Sequence, residues 1–86
     1  MLSASEAAKR AVEHVTAMTG RAAETVVGIE RAGDGGWRVL VEVVETRRIP
    51  DSADILAAYD TEVDADGELV GYRRARRYPR GRVERD

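Results

Sequence analysis

Apolar residues recur along this chain with two different periods, and the change of period divides it into elements. Over residues 5–19, Ala7, Ala8, Ala11, Val12, Val15 and Met18 return at three- and four-residue spacing, which gathers them on one side of a helix. Ser3 or Ser5 can cap the start and Gly20 can end it. The stripe is mostly alanine, so the helix can lie close against a sheet. From residue 24 onward the period drops to two. Thr25, Val27 and Ile29 share one face of a first strand over residues 24–31. In residues 37–50, Trp37, Val39, Val41 and Val43 share one face, while Arg38, Leu40, Glu42 and Val44 form the other. That strand is apolar enough on both sides to predict an interior position. Pro50, which has no amide hydrogen, ends it.

Turn residues separate these runs. Gly33-Asp34-Gly35-Gly36 accepts positive φ and predicts a hairpin that sets Ile29 opposite Val39, Val27 opposite Val41, Thr25 opposite Val43 and Glu30 opposite Arg38. Residues 47–56 read as a crossover, with Asp51 or Ser52 capping one helical turn and Ile55 and Leu56 dipping toward the core. Its length predicts that it packs over an end or edge of the sheet. Residues 57–64 and 68–78 then form a second hairpin about Asp66-Gly67. Its register sets Val63 opposite Val70, Thr61 opposite Tyr72, Tyr59 opposite Arg74, Asp60 opposite Arg73 and Glu62 opposite Gly71. The order predicts an α+β fold, an N-terminal amphipathic helix packed on a four-stranded antiparallel sheet made of two hairpins. With 86 residues the chain is one small domain, taken as residues 1–80, followed by an arginine-rich C-terminal tail at 81–86 with the composition of a frayed end.

Charge adds what periodicity does not. The formal net charge is only -2, yet between Asp51 and Glu68 there are seven acids and no basic residue, and from Arg73 onward there are seven arginines and two acids. Two readings follow: the blocks neutralise each other across the second hairpin, or the arginines form a partner-binding surface. Tyr72 and Tyr78 lie among Arg73, Arg74, Arg76, Arg77 and Arg80, the mixture of cations and rings used to bind single-stranded nucleic acid. The acidic total and the lack of an RNA-binding signature leave nucleic acid as the alternative partner.

Candidate chemistry is sparse. The single histidine, His14, sits at the edge of the helix stripe with no cysteine or second histidine to join it in a metal site or a catalytic set. The glycine turn lacks the lysine and helix of a phosphate loop. Asp60, Glu62, Asp64, Asp66 and Glu68 do not follow the order of a calcium loop. Glu42 and Glu45 are the carboxylates on the central strand that could be perturbed by burial. These observations predict neither an enzyme nor a bound cofactor or metal. Without cysteine, a membrane-length apolar run or the regions of a signal peptide near Met1, the expected compartment is the cytoplasm.

One pattern spans these pieces. Val41-Glu42-Val43-Val44-Glu45, Arg48-Ile49-Pro50-Asp51, Asp54-Ile55-Leu56-Ala57-Ala58-Tyr59, Val63-Asp64, Gly67-Glu68-Leu69 and Tyr72-Arg73-Arg74 through Arg77-Tyr78 stand in an order and spacing that resembles the gas vesicle accessory protein O (GvpO) family. The resemblance covers residues 37–80. It implies a non-enzymatic accessory or assembly factor for gas vesicles, cytoplasmic or associated with them, that binds other gas vesicle proteins. A wall subunit would present broad apolar surface, whereas this chain is 35% charged and has no phenylalanine. For the partner contact the expected residues are Arg73, Arg74, Arg76, Arg77 and Tyr78, with Arg48 and Asp51 on the crossover, acting by charge steering and guanidinium hydrogen bonds.

Overall fold

The computed structural model describes residues 2–81. It contains helix α1 (Ala4–Thr19) and strands β1 (Ala23–Arg31), β2 (Trp37–Thr46), β3 (Ile55–Val63) and β4 (Leu69–Pro79). The strands form one antiparallel sheet in the order β1-β2-β3-β4, so each pairs with its sequence neighbour and β2 is interior as its two apolar faces predict. Residues 47–54 are therefore a long hairpin connection and not a crossover. The α+β expectation describes the architecture. The tail predicted at 81–86 lies, apart from Gly81, outside the described residues.

Of the two serines that could cap α1, Ser3 does so. Its hydroxyl accepts from the Glu6 N–H at 3.2 Å, and Glu6 Oε1 accepts from the Ser3 N–H at 2.9 Å, a reciprocal capping box. Those bonds hold the Glu6 carboxyl below its ordinary value. Gly20, at φ 71°, closes the other end through its N–H to the Thr16 carbonyl. Ala7, Ala11 and Val15 are fully covered by the sheet, but Met18 is 56% exposed. The stripe has by then rotated off the contact, because the last turn extends past the sheet-facing arc.

Alternation places Trp37, Val39, Val41 and Val43 with Ala57, Thr61 and Val63 on the face beneath α1, all buried, with Val26, Tyr59 and Leu2 packed beside them. The Trp37 indole N–H donates to the Leu2 carbonyl at 3.2 Å, and His14 Nε2 bonds the Gly67 carbonyl at 2.8 Å. These bonds tie the start and the body of the helix to one end of the sheet, where Trp37 pairs with Val63 and the β3–β4 connection follows, and give the lone histidine a structural partner. The second sheet face has no layer on it among the described residues. There Arg38 faces Glu62, Leu40 faces Asp60, Glu42 faces Ala58 and Val44 faces Leu56.

The registers hold in part. Ile29↔Val39 and Glu30↔Arg38 are as predicted, but bulges in β1 set Val26, not Val27, opposite Val41, and Thr25 opposite Glu42. In the second hairpin, four of the five predicted pairs form. Asp64 Oδ1 accepts from the N–H groups of both Asp66 and Glu68 at 2.9 Å, so the connection spans the five residues 64–68 and Leu69, not Val70, meets Val63. Ile55 and Leu56 belong to β3 from its start. The helical turn before them, Asp51–Ala53, follows Pro50 without a side-chain cap, and the Ile49–Pro50 peptide is cis.

Candidate functional site

The sequence Arg73-Arg74-Ala75-Arg76-Arg77 would scatter its cations if β4 were regular, because residues 74 and 77 would lie on opposite faces. A register shift at Ala75 changes this: Tyr59 pairs with Arg74, Ala58 with Arg76 and Ala57 with Arg77, which leaves Ala75 as the extra residue. Arg74 and Arg77 thus share the helix-side face, and Arg73 and Arg76 share the other. A matching shift in β2 between Val44 and Thr46 makes Glu45 the extra residue there.

Glu45 joins the pair on the helix-side face. Arg74 Nη1 donates to its Oε2 at 3.0 Å and Arg77 Nε donates to its Oε1, while the Glu45 side chain is only 10% exposed. Burial pushes this carboxyl up, but the hydrogen bonds and charges of the two arginines outweigh it and hold it below its ordinary value. The Glu45 backbone carbonyl accepts from Arg21, so the bulge is fixed from a third direction.

On the uncovered face, Tyr78 donates its hydroxyl to Glu42, and the Arg76 guanidinium lies 5.7 Å from the Tyr78 ring centroid. The acids of β3 are not paired with β4. Arg38 of β2 draws in Asp60 at 3.5 Å and Glu62 at 3.6 Å, with Glu30 at 3.9 Å. The register brings Asp60 opposite Arg73, yet Arg73 makes no ion pair with any described residue. A shallow groove of about 280 Å³, lined by Arg38, Asp60, Glu62, Gly71, Tyr72 and Arg73, separates them. Neutralisation across the hairpin, one of the two readings of the charge blocks, is thus carried out by β2, and β4 keeps its excess of cations.

Past the strand, Arg80 makes a second cluster. Its two terminal nitrogens reach Glu24 at 2.7 and 3.2 Å, and one also reaches Asp54 Oδ2 at 3.2 Å. Asp54 is buried, and its Oδ1 accepts from the Arg48 N–H at 2.6 Å. That backbone bond first, and Arg80 after it, hold the Asp54 carboxyl below its ordinary value against the opposing effect of burial. Arg80 likewise lowers Glu24 and is itself held more firmly in its charged form. The Arg80 and Gly81 N–H groups bond the Asp54 and Ser52 carbonyls, both at 2.7 Å, so the chain leaving β4 is stitched to the connection entering β3.

The candidate residues therefore fall into two sets. Arg73, Arg74, Arg76, Arg77 and Tyr78 come together along the outer strand. Arg48 and Asp51 lie on the exposed connection; Arg48 takes part through its backbone, and Asp51 has no side-chain bond to a described residue. Sequence reasoning had marked Glu42 and Glu45 but missed Glu24 and Asp54. Asp54 carried one faint signal, an acid directly before an apolar run, whereas nothing in Glu24 points fifty-six residues ahead to its partner. No group of three or more His, Asp or Glu residues among those described could hold a metal ion, and no described helix is long and apolar enough to cross a membrane.

The model of the family described as "Gas vesicle synthesis protein GvpO" matches residues 1–84. Among curated proteins, the chain is similar to a gas vesicle protein O of a Streptomyces species, 54% identical over 68 residues that make up 79% of this chain and 52% of the relative. It is also similar to gas vesicle protein O of Haloferax mediterranei, 37% identical over 83 residues covering 96% of this chain and 54% of that protein. A third relative, gas vesicle protein O1 of Halobacterium salinarum, is 40% identical over 55 residues, which cover 64% of this chain and 46% of the relative. The chain spans about half the length of these curated relatives. No solved structure matches it.

Proposed function

The chain belongs to the gas vesicle synthesis protein GvpO family, and from that membership we propose that it is a non-enzymatic accessory factor in gas vesicle assembly that binds other gas vesicle proteins. It works as one folded unit over residues 1–80, with 81–86 as a tail, in the cytoplasm or at the vesicle. The contact runs along β4, through Arg73, Arg74, Arg76, Arg77 and Tyr78, with Arg48 and Asp51 at its border. The observation that carries the contact is the imbalance on this strand. Two arginines share the one carboxylate of Glu45, while the acids of β3 are engaged by Arg38, so Arg73, Arg74 and Arg77 together present more positive charge than the described acids offset.

A tagged pull-down from cells assembling gas vesicles tests this reading. Gas vesicle proteins are expected to co-purify with the wild type and to be largely lost when Arg73, Arg74, Arg76 and Arg77 are changed to alanine. Normal vesicles in a deletion strain, or a pull-down free of vesicle proteins, would refute the role.

A further inference from the structure

Strand β4 pairs with β3 on one side and with no described backbone on the other. Such an edge presents a row of N–H and C=O groups that another strand can complete. Its side chains decide which strand that is. An added strand would run between the positions flanked by Arg73 and Arg76 on one face and by Arg74 and Arg77 on the other. A second copy pairing through its own β4 would set arginines beside arginines, and like charges in cross-strand positions are unfavourable. A strand bearing carboxylates meets the opposite situation. Glu45 is already shared between Arg74 and Arg77, and Arg73 has no ion pair with any described residue. The cationic edge is thus selective: it turns away copies of this chain and uncharged strands of the aggregating kind, and admits an acidic one.

We propose that the outer edge of β4 accepts a fifth strand, an extended acidic segment of a partner protein, held by backbone hydrogen bonds and oriented by carboxylates facing Arg73 on one side and Arg74 and Arg77 on the other. The inference rests on the reading of this chain as a partner-binding factor and specifies how the partner is held. The bulge at Ala75 divides the edge into the runs 71–74 and 76–79, and the added segment pairs with the first as a short strand beside Arg73 and Arg74, its end reaching Arg77. Arg73, at the groove shared with Arg38 and Tyr72, is positioned to take the carboxylate next to the first run.

The test uses the full chain and three probes: a short synthetic peptide of glutamate pairs separated by single threonines, which puts carboxylates on both faces of a strand, the same peptide with every backbone nitrogen methylated, and an oligouridylate. The first keeps charge and backbone donors, the second charge alone, and the third supplies phosphate. The first peptide is expected to bind at low salt, to shift the β4 amide resonances more than those of β1, and to be weakened several-fold by Arg73→Gln. The methylated peptide is expected to bind roughly tenfold or more weakly, having lost the ladder. Equal binding of the two peptides overturns strand addition in favour of bulk charge. So does absence of binding by both, and preference for the oligouridylate overturns it in favour of nucleic acid. The free peptide is then added to the vesicle-protein pull-down. Co-purification that the peptide does not displace sinks the edge mechanism while the assembly role stands; failure to co-purify at all, with the peptide still binding, sinks the role and leaves the edge.

Discussion

Glu45 answers to two residues far from it in sequence, and removing its charge tests whether that matters. In Glu45→Gln the carboxamide cannot accept from Arg74 and Arg77 as a carboxylate does, and the two guanidinium groups repel each other across the bulge. We expect thermal unfolding to show a midpoint lower by on the order of 5 °C. The pH dependence carries the sign. Because the folded carboxyl lies below its ordinary value of 4.5, its contribution is complete above that value and is lost as the pH falls through the lower folded one. The gap between wild type and Glu45→Gln should therefore close as the solution is acidified from neutrality; a gap that persists in acid would assign the effect to packing. Gly67 is a different case, since at φ 85° an added Cβ would sit 3.0 Å from Leu2 Cδ1 and 3.1 Å from Arg10 Cγ. Gly67→Ala should cost about 1–2 kcal/mol in chemical denaturation, from the left-handed backbone alone.

Elements were legible in the sequence to the extent that a strict period exposed them. The alanine stripe gave α1, the alternation about Trp37 gave β2 its interior place, and Asp66-Gly67 marked the second hairpin. Bulges were not legible, because a bulge is one residue of slack with no composition of its own; those in β1 moved the register predicted for Val27 and Thr25, and the one at Val70 moved the partner of Val63. Two of them turned out to organise the candidate site. Deleting Ala75 should remove the bulge and leave Arg76, Arg77 and Tyr78 opposite Ala58, Ala57 and Leu56, on the faces that they now occupy. Arg77 would keep Glu45, and Tyr78 would keep Glu42. The expected result is a protein that shows helix and sheet by circular dichroism and melts within about 5 °C of the wild type. A melting point lower by on the order of 10 °C would mean that the bulge itself, beyond the register it sets, holds the cluster together.

At the level of the whole molecule, one face of the sheet is covered by a helix and the other carries ion pairs, with Arg38 central among them. The charge blocks were plain in the sequence, but their pairing was not, since a formal count cannot say that β2 rather than β4 would neutralise β3. The exposure of residues 73–77 was legible because a run of arginines is seldom buried. Glu24, Asp54 and Arg80 were not, since only the closed sheet brings them together. Acidification should loosen this cluster too: Asp54 and Glu24 are both lowered, so their contribution is full above their ordinary values of 3.8 and 4.5 and disappears as the pH drops through the folded values. Amide exchange of Arg48, Arg80 and Gly81 should accelerate there before the β2 core opens. The same cluster makes a statement about inheritance. One arginine answering two acids from separate parts of the chain leaves no single replacement neutral: losing Arg80 strands both carboxylates, and a lysine lacks the fork to serve both. Among relatives these three positions should therefore drift as a set, each substitution at one accompanied by a change at the others, and independent variation at 24, 54 and 80 would show that the fold tolerates the clamp without requiring it.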